Sequence, residues 1–365
     1  MIKNFIRKRT TAISRLLAKE KIDCLIVTKP ANVTYLTGFL GTDSWAAITR
    51  QGRAYLLTDS RYMEQAQAEC RDCRIVQRAN FVPLAQAAAE LVDKLKSVQT
   101  VAVENSTSVA DFHALRRKVE ARLKTAEGII ESSRRIKDGS EIAAIRKAAS
   151  IAAKALKQTV RRINPGISES ELAGMLDFEV RKLGATTGFE TIVAFGPNAS
   201  RPHHQPTTRK LKTTDTILID FGAKHQGYCC DITRCFAVGR PAALYKKAYE
   251  VVERAQAAAI RTVKAGAELV QVDAAAREVI RKNDLPVYTH GTGHGFGLEI
   301  HELPFVKVQG QGKLQAGEVL TIEPGIYLPG KVGVRIEDDV LVTETGCKIL
   351  TSRCPHSPLF FDGPA

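Results

Sequence analysis

Five side chains able to bind a hard cation fall in the second half of this 365-residue chain: Asp220, Asp231, His294, Glu323 and Glu337. Asp220 and Asp231 stand eleven apart in ILIDFGAKHQGYCCDIT, and Glu323 and Glu337 fourteen apart in LTIEPGIYLPGKVGVRIED. Across an antiparallel hairpin, residues whose numbers share a constant sum face each other. The first pair centres on the polar stretch Lys224-His225-Gln226-Gly227 and the second on Gly330 in Pro329-Gly330-Lys331, so turn chemistry lies where each hairpin needs it. Each pair is expected to meet on one sheet face, an arrangement that costs stability unless positive charge lies between the two acids. Four carboxylates and one imidazole make a hard, oxygen-rich donor set, suited to two divalent cations.

The flanking segments are built to present these residues. Thr216–Ile219 and Val319–Ile322 read as strands buried on both faces, and each ends at an acid. An unpaired buried carboxylate is expensive, so acids closing buried strands require a positive partner. The third piece is THGTGHGFG, residues 289–297, followed by LEIHE. Glycine at alternate positions excludes an ordinary helix and lets the backbone pass close to a ligand. No βαβ unit follows, which excludes a dinucleotide fingerprint, and Phe305 stands where a zinc-peptidase helix would need its second His. His290, His294 and His301 leave one imidazole for metal and the others to act around it.

Composition is that of an ordinary globular protein, 44% apolar and 25% charged, and no run approaches the ~18–20 apolar residues of a membrane span. The basic N-terminus lacks the apolar core of a signal peptide; Ile6, Ile13, Leu16 and Leu17 form a helical stripe instead. A cytoplasmic protein with reduced cysteines is expected, and Cys70-x-x-Cys73 has no second such pair to complete a zinc site. The net charge of +14 comes without a nucleic-acid recognition motif or a basic-aromatic platform, so it reads as a solvated basic face. Strands are predicted at 22–27, 45–50, 53–57, 73–77, 99–104 and 125–130, with helices near 60–69, 81–97 and 108–120, an α/β domain over residues 1–132. A polar break at 131–140 follows. Ser140 then caps a helix to about 162, and helices at 168–183, 242–264 and 268–282 give residues 133–365 an α+β architecture around a curved antiparallel sheet.

The ordered set of five donors, carried in SRPH (Ser200–His203), IDFG, DITR, HGTGHGFGLEIHELP, TIEPGIY and VRIEDD, resembles the pita-bread metallopeptidases, which include methionine aminopeptidase, aminopeptidase P and prolidase. The first 130 residues, with TKPANVTYLTGF and LLTDSRYMEQA, look like the creatinase-type N-terminal domain of Xaa-Pro peptidases, which methionine aminopeptidases lack. The resemblance implies a pita-bread catalytic domain, a homodimer, and a peptide substrate with proline in second position. It implies that Asp220 holds one metal, that His294 and Glu323 hold the other, and that Asp231 and Glu337 bridge. Glu323 would take the proton of the attacking water, and His203 and His301 would contact substrate and steady the tetrahedral intermediate. His204 is the alternative to His203, which directly follows Arg201-Pro202 as the motif requires. Carboxylate-rich ligation suits Mn(II), and Co(II) or Zn(II) could also occupy the site.

Two activities fit this resemblance. An aminopeptidase removes the first residue from Xaa-Pro peptides of varied length; a prolidase splits only the dipeptide and must capture the proline carboxylate with a cation. Some prolidases carry an Arg just after the HE-x-P motif, where this chain has Phe305, so the aminopeptidase is expected first. The non-enzyme alternative, a metal-free binding relative, is disfavoured by the intact donor set. Arg335, two residues before Glu337, is expected to orient carboxylates, with Tyr228 and Tyr327 as helpers. His290 either lines the pocket or serves the Gly-rich strand. Trp45 is either a lid after the loop Thr37-Gly38-Phe39-Leu40-Gly41 or a core aromatic opening its strand.

Overall fold

The apolar runs of the first 130 residues become six strands of one mixed sheet, in spatial order 74–77, 54–58, 45–49, 24–27, 100–104 and 122–126. The structure, a computed structural model, describes residues 2–70, 72–95 and 97–354, with the backbone of 360–361. The chain divides into two compact units, Met1–Arg134 and Arg135–Ala365. The sixth strand lies earlier than predicted: Gly128, at φ +66°, ends that stretch, and Ile129 and Ile130 are buried on a short helix, Ile129–Arg134. A further helix, Pro30–Thr37, lies outside the predicted elements; proline opens it and Gly38, at φ +78°, closes it. Trp45 opens the strand Trp45–Thr49, pairs with Leu57 and is buried in a core with Ile26, Tyr55 and Val103. That placement is the core alternative.

In the second unit the long helix spans Gly139–Val160, and its cap is Asp138 rather than Ser140. Asp138 Oδ1 accepts from Ser140 N and Glu141 N while Glu141 Oε2 accepts from Asp138 N, a reciprocal capping box. Ser168 caps Glu169–Lys182 in the same way. These two helices pack with the antiparallel strands Ile192–Phe195, Thr216–Phe221 and Ile232–Val238 around one core. Helices Ala243–Thr262 and Leu269–Arg281 cover a second core shared with the sheet ordered 302–306, 293–295, 319–322, 338–342 and 347–349. No helix among the described residues is long and apolar enough to cross a membrane.

Register decides where the acids emerge. Glu323 and Glu337 lie as predicted: Ile322 pairs with Asp338 and Gly325 with Arg335, so the intervening positions keep one constant sum about the turn at Gly330, φ +68°. The other hairpin differs. Its two-residue turn is Gln226-Gly227, both at positive φ, which fixes His225 opposite Tyr228 and Asp220 opposite Thr233. Asp231 is therefore displaced by two positions from the partner of Asp220. An even offset preserves the face, so the two acids meet diagonally rather than directly across.

Candidate metal centre

The ends of these strands converge on a cavity of about 310 Å³ within the C-terminal unit. Asp220 is the penultimate residue of Thr216–Phe221, Asp231 immediately precedes Ile232–Val238, and His294 is the middle residue of Gly293–Gly295. Glu323 follows Val319–Ile322, and Glu337 precedes Asp338–Val342. Ligand atoms of Asp231, His294 and Glu337 lie within 4.8 Å of one another. His294 Nε2 is 3.4 Å from Glu323 Oε1 and 3.8 Å from Asp231 Oδ2. Its other nitrogen, Nδ1, contacts Gly295 O at 3.2 Å, which selects the tautomer with the lone pair of Nε2 aimed at the acids.

The electrostatics of this cluster call for added positive charge. Four carboxylates face a single guanidinium, that of Arg335, whose NH2 donates to Asp220 Oδ2 at 2.6 Å. Burial, reinforced by Glu337 and Asp220, drives the Asp231 carboxyl well above its usual range. Burial and Glu323 do the same to Glu337, and burial pushes Glu323 up to about 8 against the pull of Arg335. Burial also lowers His294 to about 4, keeping it a neutral donor. Asp220 Oδ1 and Asp231 Oδ1 are buried without any hydrogen-bond partner. Orphaned carboxylate oxygens of this kind are costly in a folded protein unless a cation satisfies them. The donor set fits hard divalent ions.

A hydrogen-bonded frame behind the cluster holds it in place. Thr233 Oγ1 donates to Glu337 Oε2 at 2.6 Å and accepts from Arg335 Nε at 3.0 Å. Arg335 NH1 donates to Tyr327 Oη at 2.8 Å, and Tyr327 Oη lies 3.1 Å from His290 Nε2. His290 Nδ1 is 2.7 Å from Gly291 O, so the Tyr327 hydroxyl donates to His290, whose pKa burial lowers to about 4. His290 thus both lines the cavity and anchors the Gly-rich segment. Asp273 and Arg277, one turn apart on the helix Leu269–Arg281, brace that segment: Arg277 donates to Asp273 Oδ2 at 2.6 Å and to His290 O at 2.6 Å, and Thr292 donates to Asp273 Oδ1 at 2.6 Å. Arg234 donates to Asp338 Oδ1 at 2.7 Å, and Asp339 accepts from Asp231 N at 3.1 Å. Thr233 and Arg234 lie in DITR, and Asp338 and Asp339 in RIEDD, yet nothing in their spacing signals that they brace the acids beside them. Asp273 and Arg277 offered only an i,i+4 spacing, which a solvated surface pair shares.

The remaining site candidates separate clearly. His203 and His301 both line the cavity, and the His301 ring lies 4.3 Å from that of His294, centre to centre. His204 instead is buried, its Nε2 2.9 Å from Glu169 Oε2. Glu169 also accepts from Phe195 N, Asn198 Nδ2 and Thr207 N, pinning the loop that carries His203. The Tyr228 hydroxyl donates to Glu141 Oε1 at 3.1 Å, tying the hairpin tip to the long helix. Cys229, two residues from Asp231, is a buried thiol that burial pushes up to about 12, and it is not among the described residues that line the cavity. The alternating glycines serve strand contact more than ligand approach. A Cβ on Gly293 would stand 1.8 Å from Thr321 O, and one on Gly295 2.2 Å from Leu303 O.

Comparison with known proteins agrees with this geometry. Residues 143–344 match metallopeptidase family M24, and residues 9–136 match the creatinase/prolidase N-terminal domain. The Xaa-Pro dipeptidase of Pyrococcus furiosus is 33% identical over 349 residues, covering 95% of this chain and 98% of that protein. Among solved structures, the Xaa-Pro dipeptidase from Bacillus anthracis superposes with a TM-score of 0.92 at 34% identity, covering 98% of this chain and all of that one. The X-Pro aminopeptidase from Thermotoga maritima gives 0.87 at 35% identity, covering 94% of this chain and 98% of that one. The chain belongs to metallopeptidase family M24, with a pita-bread catalytic domain following a creatinase-type N-terminal domain.

Proposed function

We infer that this protein hydrolyses the peptide bond preceding a proline in second position, releasing the N-terminal residue as an Xaa-Pro exopeptidase. The observation that carries a metal-dependent reading is the convergence on one cavity of three buried carboxylates, the partly buried Glu323 and a neutral imidazole, with two of the carboxylate oxygens left unpartnered among the described residues. Preference for proline is supported by the relatives named above, which are described as acting on Xaa-Pro or X-Pro. Asp220, Asp231, His294, Glu323 and Glu337 would hold two divalent cations, with Mn(II) the ion best matched to so many carboxylates. Bound there, the cations supply Lewis acidity, activating water near neutral pH and polarising a carbonyl.

The chain's own groups do the rest. Glu323, at the cavity wall and held by Thr321 Oγ1 at 3.5 Å, accepts the proton of the attacking water. His203 and His301 face the same cavity from two different loops and present N–H groups to the developing oxyanion. Arg335 keeps Asp220 oriented, and Tyr327 fixes the ring of His290, which burial keeps neutral.

The test is a Mn(II)-loaded assay comparing Leu-Pro and Leu-Pro-Gly with Leu-Ala and Leu-Ala-Gly. Cleavage confined to the proline peptides and abolished by chelation is the expected result. Equal turnover of the alanine peptides would end the proline reading, and full activity in a metal-free preparation would end the metal reading.

A further inference from the structure

We propose that Lys307 holds the free carboxylate that follows the substrate's proline, so that the site favours the Xaa-Pro dipeptide over longer chains; this rests on the proline-directed reading above. In a dipeptide the carbon two bonds beyond the scissile nitrogen is a carboxylate. Its charge has to be accommodated in a cavity already lined by Asp220, Asp231, Glu323 and Glu337. Among the described lining residues only Arg335 and Lys307 are permanent cations. Arg335 is buried and fully engaged, donating to Asp220, Tyr327 and Thr233. Lys307 is exposed, and its ammonium group pairs with no carboxylate among the described residues; it stands over the ring of Phe305, with Nζ 5.7 Å from the ring centre.

The placement of that pair matches proline. Phe305 lies opposite His294 across the ladder, and Lys307 stands just beyond the end of the strand Glu302–Val306. An apolar ring and an ammonium group are thereby set side by side, as the pyrrolidine ring and the carboxylate are in a C-terminal proline. A lysine on its flexible stem meets a carboxylate as a point charge, without the fixed geometry a guanidinium demands. The cavity, about 310 Å³, sits at the small end of the ~300–1,000 Å³ range of small-molecule sites, which suits a two-residue substrate. An apolar residue at 305 therefore does not exclude carboxylate capture, because the cation stands two residues further on.

The experiment compares Leu-Pro with Leu-Pro amide on full-length, Mn(II)-loaded wild type, Lys307→Met and Lys307→Arg. Calorimetric binding of L-proline and L-prolinamide to the same proteins accompanies it. Wild type should prefer the acid over the amide on the order of 10- to 100-fold in kcat/KM, the scale of one charge-assisted hydrogen bond. Lys307→Met should collapse that ratio towards one, chiefly through KM, and Lys307→Arg should restore most of it; proline binding should follow the same order. An acid-to-amide ratio unchanged in Lys307→Met, or equal use of both by wild type, overturns the role of Lys307 while proline-directed hydrolysis stands. Absence of turnover with proline still bound through Lys307 refutes the activity and retains the carboxylate site.

Discussion

Asp231 and Glu337 occupy the centre of the cluster, each within reach of His294 and each raised by burial and neighbouring acids. Removing a charge there leaves the remaining acids unable to hold two ions. Asp231→Asn or Glu337→Gln should lower bound metal below two per chain and reduce kcat/KM by more than the ~10–100-fold typical of losing an outer partner. Metal analysis with parallel kinetics checks this, and full occupancy in either variant would show the residue to be dispensable for binding. His301 is different. Its ring touches His294 at the cavity wall, where partial loss of solvent and the neighbouring His203 lower its pKa. His301→Ala should keep near-normal metal content and lose roughly 10²-fold or more in kcat, a usual acid–base contribution. Metal loss in that variant would place the side chain among the ligands.

At the scale of elements, the Gly-rich strand is held between two neighbours with no room for a side chain. Gly293→Ala would drive a methyl group into the carbonyl of Thr321, which is backbone and cannot swing away. The expected destabilisation falls in the exceptional class above ~4 kcal/mol, with loss of metal as the strand carrying His294 shifts. A variant with wild-type melting and metal content would mean that the sheet spreads freely. In the N-terminal unit, Trp45 anchors a strand against Tyr55 and Leu57. Trp45→Ala should cost about 3–5 kcal/mol through the cavity it leaves. Its kinetics per folded molecule should be unaltered, and a KM change without any stability loss would revive the lid reading.

Over the whole molecule, the acids of the centre couple metal, proton and stability. In the metal-free protein Glu323 is pushed up to about 8, and Asp231 and Glu337 are raised as well, so the unfolded chain ionises these groups first. Their stabilising contribution is complete below the ordinary carboxylate range near ~4.3 and is lost as pH climbs towards 8. Chelated protein should therefore melt progressively lower from about pH 5 to pH 8. Mn(II) should restore the melting temperature, more at pH 8 than at pH 5, because protons no longer compete for the carboxylates and only the folded state binds. A melting temperature indifferent to both pH and Mn(II) across that range would contradict the coupling.

Sequence alone picked out the five residues that line one cavity, the hairpin about Gly330 and most of the elements, because those rest on local chemistry. An acid closing a β-prone run, a Pro-Gly turn and an amphipathic stripe are all legible within a dozen residues. The hairpin of Asp220 was misjudged by two positions because Gln226 adopts positive φ beside Gly227, a conformation a sequence does not advertise in a non-glycine residue. Ser140 yielded its cap to Asp138 because both are good caps and only the backbone geometry chooses between them. Tertiary structure decided what the long-range frame does: that Thr233 joins Glu337 to Arg335, that Asp273 and Arg277 face inward, and that His204 belongs to Glu169. It also decided that Trp45 is core and that Lys307 reaches the cavity wall. Such contacts depend on burial and on partners tens of residues away, and a polar side chain reads the same in sequence whether water or a buried carboxylate receives its hydrogen bond.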